Sequence, residues 1–321
     1  MTDASRSIKP MSSYEKDYSN LLQNVLLNGK QHQARNARTV RLFNQQLTAD
    51  LSKGFPMLTG RRLPWDGIKG ELLAFIRGNV LLEDFKALGC NFWDKQALTH
   101  PDGGKHIGPA YGYQWRHFTS IRPTGPDTAN GVITDQLAEL ITGLLVDPDS
   151  RRHVLTAWQP NDLEFMALPP CHMMAQWHVE QVAEHGAEGT PILHCTVTMR
   201  SADMFVGVPA DMASYALFTC LLSLLLGFEP GTVCINMADC HIYEANEVQV
   251  ETYLQKPCYD LPTIGLSLEA LDTLLERVRL TANNPQEFVA AAIRWLEAIE
   301  PSDINLSDYQ ANDSQTVTMV A

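Results

Sequence analysis

The chain has 321 residues, of which 45% are hydrophobic, and a formal net charge of −13. That is enough apolar material for a continuous core, and so acidic a surface repels nucleic-acid backbones and anionic membranes, so neither is expected as a partner. Seven cysteines, an odd number with no CxxC pair, point away from a disulfide framework or zinc site and toward a reducing, cytoplasmic setting.

Residues 1–35 read as a polar N-terminal extension in which Leu21, Leu22, Val25, Leu26 and Leu27 fall at near-helical spacing, predicting a short amphipathic helix. Its start lacks the apolar run of a secretory signal. A flexible loop over residues 29–39 carries Lys30, Arg35 and Arg38. An apolar helix is expected over residues 67–76. Thr134-Asp135 caps another, whose Leu137, Leu140, Ile141, Leu144 and Leu145 share one face and which stops at Asp147-Pro148. Between residues 152 and 208 the pattern changes to short β-rich runs, notably 153–158 and 192–199. The most apolar stretch, residues 213–228, falls short of the roughly 20 residues that span a bilayer and reads as a buried helix. A strand at 232–237 and a helix at 247–255 follow. Two more helices are expected over 267–280 and 285–300, the second opening with Asn284-Pro285 in the cap and first-turn positions. Strands and helices interleave without a clean linker, which favours one α+β domain over residues 1–321.

The run Leu168-Pro-Pro-Cys-His-Met-Met-Ala-Gln-Trp177 holds the residue with the strongest chemical context. A thiolate is the best nucleophile among ordinary side chains, but a free cysteine has a pKa of about 8.5 and needs cations or hydrogen-bond donors to ionise near neutrality. Arginines near Cys171 would supply that field, and the doubled Arg151-Arg152 suits a phosphate. A sulfur nucleophile with fixed cations suggests covalent attack on a phosphorylated small molecule. Cys90, Cys195, Cys220, Cys234, Cys240 and Cys258 read as small buried hydrophobes.

A series of strings then appears in a telling order: Gly54-Phe-Pro56, Glu71-Leu-Leu-Ala-Phe-Ile-Arg-Gly78, Trp93-Asp94, Gly108-Pro-Ala-Tyr-Gly-Tyr-Gln-Trp-Arg116, Asp147-Pro-Asp-Ser-Arg-Arg152, Met166-Ala-Leu-Pro-Pro-Cys-His172, Arg200-Ser-Ala-Asp203, Ala213-Ser-Tyr215 and His241-Ile-Tyr243. Together they resemble the thymidylate synthase and pyrimidine hydroxymethylase superfamily, and residues 309–321 resemble its closing tail. The resemblance implies a large twisted mixed β-sheet flanked by helices, packing sheet to sheet in a homodimer, with 5,10-methylenetetrahydrofolate as one-carbon donor. Cys171 would add to C6 of a pyrimidine, Glu71 would organise proton-carrying waters, and Tyr111 would assist removal of the C5 proton. Arg151 and Arg152 would reach the partner subunit's nucleotide phosphate, joined by Arg200 and Ser201 of the same subunit. His241 and Tyr243 would hold the sugar hydroxyl. Trp93, Asp203, Gly207 and Ala321 would line the folate. The superfamily's Arg-Thr-Gly-Thr-Gly loop is replaced by Arg35-Asn-Ala-Arg-Thr39, leaving Arg35 or Arg38 to cover the phosphate, with Arg35 favoured. The segment 260–302 carries more helix than the resemblance explains.

One departure bears on the substrate. Synthases have asparagine in a Pro-Phe-Asn-Ile-Ala-Ser-Tyr type of motif, where this chain has Pro209-Ala-Asp-Met-Ala-Ser-Tyr215. A carboxamide matches the N3–H donor and O4 acceptor of uracil, whereas a protonated carboxyl, or a carboxylate facing N3-protonated cytosine, matches a cytosine edge. Asp211 therefore predicts dCMP as substrate. Met199-Arg200-Ser201 resembles deoxycytidylate hydroxymethylases, while His172 and the tail look more like a synthase, so 5-hydroxymethylation is expected with 5-methylation as the alternative. Use of dUMP, action on CMP in a nucleoside-antibiotic pathway, and a silent homologue with a binding role remain further alternatives. Such cytosine-modifying relatives include enzymes with which bacterial viruses prepare nucleotides for their DNA.

Overall fold

A computed structural model of the protein describes residues 12–35, 37–125, 128–184, 187–267 and 284–319. The chain opens with helix α1 (Ser13–Asn28), capped by the Ser12 hydroxyl and burying Tyr14, Tyr18, Leu22 and Val25 on one stripe. Two strands follow, β1 (Lys30–Gln33) and β2 (Arg38–Asp50), paired antiparallel from Lys30↔Arg41 to Gln33↔Arg38. The segment expected to be a flexible loop is thus largely an edge hairpin, and its polar, exposed β1 carries no apolar alternation by which to announce itself. Helices α2 (Trp65–Ile76) and α3 (Leu82–Ala87) lead to a small hairpin of β3 (Leu98–Thr99) and β4 (Lys105–His106). Next come α4 (Gly112–His117), the exposed hairpin β5 (Phe118–Gly125) and β6 (Thr128–Thr134), and α5 (Gln136–Val146), whose cap is Asp135 as expected.

The centre of the fold is built from β7 (Val154–Thr156), β8 (His172–Glu180), β11 (Ile192–Asp203) and β12 (Glu229–Tyr243), with the two-residue strands β9 (Ala183–Glu184) and β10 (Ala187–Glu188) forming a ribbon between β8 and β11. The six-stranded sheet runs β1-β2-β12-β11-β8-β7 and is mixed, because β11 and β12 are parallel while the other neighbours are antiparallel. Parallel neighbours need a crossover, supplied by helix α6 (Gly207–Leu226). This helix begins six residues before the expected 213 because Pro209 is tolerated in a first turn. Most of its surface is buried, so it reads as apolar all round. Strand β12 likewise extends past the expected 232–237 at both ends.

Along β11 and β12, buried residues (Leu193, Cys195, Val197, Met199; Val233, Ile235, Met237) alternate with more exposed ones (His194, Thr196, Thr198; Thr232, Cys234, Asn236). One sheet face carries the core and the other stays open and mainly polar. The chain closes with α7 (Glu247–Leu254), β13 (Thr263–Leu266), α8 (Pro285–Ala298) and β14 (Ile304–Ser307), β13 pairing antiparallel with β14. Asn284 caps α8 through Glu287 N–H at 2.8 Å, as its sequence implied. The helix expected over 267–280 lies outside the described residues.

A buried carboxylate ties the two chain ends together. Glu15, fully buried on α1, accepts hydrogen bonds from Thr59 N (2.9 Å), Thr59 Oγ1 (2.5 Å), Gly60 N (2.7 Å) and Tyr253 Oη (2.9 Å). Asn312 of the C-terminal tail then bonds the carbonyls of Thr59, Gly60 and Pro257. Replacing Glu15 by Ala strands several buried donors at once, each costing on the order of 1–3 kcal/mol when unpaired. Glu15→Ala is therefore expected to destabilise the protein by about 3 kcal/mol or more, read from the urea unfolding midpoint, with Glu15→Gln recovering part of the loss.

Candidate active site

A cavity of about 320 Å³ opens above the ends of β11 and β12, between α2, the start of α6 and the C-terminal tail. Its walls hold Glu71, Trp93, Tyr111, Cys171, Ser201, Asp203, Gly207, Asp211, His241 and Tyr243, ten of the residues singled out from sequence. The parallel register sets Asp203 opposite His241, which is why these two residues, 38 apart in the chain, share one wall. His241 and Tyr243, two apart on β12, have ring centroids 5.0 Å apart.

Cys171 lies just before β8. Its backbone N–H donates to Tyr111 Oη at 2.9 Å, and its carbonyl accepts from Arg200 N–H at 2.9 Å. Tyr111 holds a backbone φ of +43°, uncommon for a residue with a side chain, while its ring stacks on Phe75 with centroids 4.9 Å apart. Burial pushes the Cys171 thiol above its ordinary pKa, outweighing the opposite pull of Arg200. Within this one chain, then, Arg200 is the arginine whose charge favours the thiolate. Arg151 and Arg152 are exposed at the start of the β7 edge, and neither lines this cavity.

Arg200 spends its guanidinium on the carbonyls of Pro170 (2.9 Å) and Pro169 (2.7 Å), 5.7 Å from the Trp158 ring centroid. It also lines a neighbouring groove with Lys30 and Arg41. Arg35 is exposed near the β1–β2 turn, and its charge reaches Tyr243, whose hydroxyl pKa is nonetheless raised, mainly by burial. Arg38 instead faces Glu244 at 4.0 Å. Ala321 lies outside the described residues, although the tail's Val317 and Met319 line the cavity.

Three acids share this space. Glu71 accepts a hydrogen bond from Trp93 Nε1 at 2.7 Å, yet burial raises its pKa to about 7. Asp203 accepts from the N–H groups of Phe205 (3.0 Å) and Val206 (3.1 Å), and burial still raises its pKa. Asp211, in the second turn of α6, is held well above the usual carboxylate range by burial first and then by Glu71 and Asp203. His172 offers it no positive charge: its Nε2 is 3.6 Å from Asp211 Oδ1, but burial drops its pKa to about 3, so the ring is neutral near pH 7. His172 Nδ1 pairs with Tyr215 Oη at 2.8 Å.

Sequence reasoning missed several residues in or beside this wall. Arg61, buried at the cavity edge, donates to Phe205 O and lies 4.4 Å from the Phe205 ring centroid. Asp239, which lines the neighbouring groove and not this cavity, accepts from Arg41 Nη1 at 3.0 Å and pairs with His241 Nδ1 at 3.1 Å, holding the imidazole on the strand. Its position two residues before His241 was the available signal, since such residues share a strand face. Gln96 also lines the cavity.

The Glu71–Trp93 bond is open to direct measurement. Glu71 should titrate near pH 7 in carboxyl-stretch infrared difference spectra, and Trp93→Phe, which removes the donor favouring the anion, should move that midpoint upward. Because the folded-state pKa is raised from 4.5, the stabilising contribution of neutral Glu71 is full below 4.5 and lost as pH rises through about 7. Glu71→Gln should therefore flatten the fall in melting temperature across that window.

The thymidylate synthase family model matches residues 16–321, which takes in the whole cavity wall and every described element except the first three residues of α1. With a cysteine and buried acids on one cavity wall and a mixed six-stranded sheet arranged as above, the chain belongs to the thymidylate synthase family and is a one-carbon transferase of the folate-dependent, pyrimidine-nucleotide type.

Proposed function

We propose that this protein transfers a one-carbon unit from 5,10-methylenetetrahydrofolate to C5 of dCMP, giving 5-hydroxymethyl-dCMP. The observation that carries the reading is Asp211, a carboxyl on the cavity wall whose burial, with Glu71 and Asp203 nearby, favours its protonated form. Its O–H donates to cytosine N3 and its C=O accepts from the N4 amino group. A uracil edge, with a donor at N3 and an acceptor at O4, meets the opposite pattern. Neutral His172 supports the arrangement, because a cationic ring 3.6 Å away would favour the carboxylate.

The remaining roles follow from geometry and the family's chemistry. Cys171 Sγ adds to C6, and its proton leaves as the C–S bond forms. Electron density then collects at C5, which attacks the one-carbon unit. Tyr111, hydrogen-bonded at the Cys171 backbone, assists removal of the C5 proton, and Glu71, with its pKa near 7, accepts and returns protons through water. Asp239 holds His241 so that it and Tyr243 meet the sugar hydroxyl. Arg200, Ser201 and Arg35 serve the phosphate, with Arg151 and Arg152 reaching across a homodimer formed on the open polar sheet face. A reduced folate suits the remaining wall: the acceptor oxygens of Asp203 match the ring donors of a pterin, and Trp93, Leu63, Pro64, Val317 and Met319 offer flat apolar surface. When bound, the folate supplies the one-carbon unit at the formaldehyde oxidation level.

Steady-state turnover with methylenetetrahydrofolate tests the substrate assignment. Wild type is expected to prefer dCMP over dUMP by about 10³-fold or more in kcat/KM, and Asp211→Asn to reverse the order. Faster wild-type turnover of dUMP would refute the assignment. Mass spectrometry of the dCMP product distinguishes an added CH₂OH from an added methyl with dihydrofolate release, and the latter identifies a methyltransferase instead.

A further inference from the structure

One polar group in the cavity is used by nothing described above. Gln96 follows Trp93 by three residues on a tight turn in which the Trp93 carbonyl accepts Gln96 N–H at 3.1 Å and Ala97 N–H at 2.9 Å. Both side chains line the cavity, and the turn is braced by the Lys86–Asp94 ion pair at 3.1 Å. Gln96 Oε1 is buried without a hydrogen-bond partner among the described residues. Leu63, Phe92, Leu168, Val317 and Met319 give the same cavity apolar wall. A buried amide oxygen left unpaired costs about 1–3 kcal/mol, and a fold that carries that cost at a ligand cavity usually gains a ligand or water contact there. On the same turn, the Trp93 indole is bonded to Glu71 at 2.7 Å, so the turn that carries the unpaired acceptor oxygen also holds the partner of a proton-accepting carboxylate on the same cavity wall.

Resting on the hydroxymethylase reading, we propose that Gln96 positions the water that attacks the exocyclic methylene of the cytosine intermediate, making it the residue that selects hydroxymethyl over methyl product. The water donates one hydrogen to Gln96 Oε1, which turns an oxygen lone pair toward the methylene carbon. As the C–O bond forms, the methylene π electrons move into the ring. They then expel Cys171 as thiolate, restoring the C5–C6 double bond. The water's second proton passes to Glu71. No oxidant or reductant is consumed, and the folate remains at the tetrahydro level, whereas the competing methyl product requires hydride from the folate.

The test compares wild type, Gln96→Leu and Gln96→Glu on dCMP in ¹⁸O-labelled water. Three quantities are read: the ratio of 5-hydroxymethyl to 5-methyl product with its ¹⁸O content, dihydrofolate formed, and folate-independent tritium release from C5 of dCMP. Gln96→Leu is expected to lower the hydroxymethyl-to-methyl ratio at least about tenfold while tritium release, which needs thiol addition and proton exchange at C5 but no attack of water on a methylene, stays within about twofold. Gln96→Glu, which keeps an acceptor oxygen, is expected to retain the labelled hydroxymethyl product. An unchanged ratio in Gln96→Leu, or an equal fall in tritium release and hydroxymethyl yield, overturns this proposal alone. Wild type giving only methyl product overturns the hydroxymethylase reading and this proposal with it.

Discussion

Three carboxyl groups and a thiol are crowded into one low-dielectric cavity, and they cannot all be charged together. Each ionisation raises the cost of the next, so burial and mutual repulsion set which group keeps its proton. Asp211, facing both Glu71 and Asp203, is pushed furthest toward the neutral form. Glu71, relieved by the Trp93 indole, settles near neutrality, where a group both takes and gives protons. His172 could have relaxed the crowding by carrying a positive charge, but the same burial keeps it neutral. In the function proposed here, recognition of a base edge by a neutral acid and proton transfer by a second acid would thus have one physical origin.

The scaffold serves that crowding by supplying fixed positions from distant parts of the chain. The parallel β11–β12 pair brings Asp203 beside His241, and α6 begins immediately after β11, so Asp211 projects from its second turn into the same space. Behind this wall, Tyr18 Oη donates to Met204 O at 2.7 Å and buried Arg61 donates to Phe205 O, pinning the turn between β11 and α6. Tyr309 Oη donates to Leu58 O at 2.8 Å, accepts Leu63 N–H at 3.2 Å, and anchors the tail whose Val317 and Met319 close the cavity. The N-terminal helix, the segment at 58–63 and the tail are therefore one supporting network centred on Glu15.

The helices were the legible part of the fold. Residues 67–76, the Asp135-capped helix and the helix opening at Asn284-Pro285 all form close to where their periodicity and caps place them. Their signals are local: a cap, a stripe and a stop lie within one short window. Strand β2 was illegible for the opposite reason. Its Asn44, Gln45, Gln46 and Thr48 resemble a polar loop, and what makes it a strand is a ladder to β12 roughly 190 residues away, from Thr232↔Asp50 to Tyr243↔Thr39.

From the sequence alone came the chemical parts: a thiol at 171, acids at 71, 203 and 211, and the cations at 151, 152 and 200, each readable because its motif is contiguous in the chain. Only the tertiary structure decided their protonation and company. It pushed the thiol's pKa up through burial, silenced the charge on His172, gave His241 its Asp239–Arg41 support, and left the arginine pair outside this chain's own cavity. A pKa depends on dielectric and on charges brought near by folding, and no short stretch of sequence contains that information.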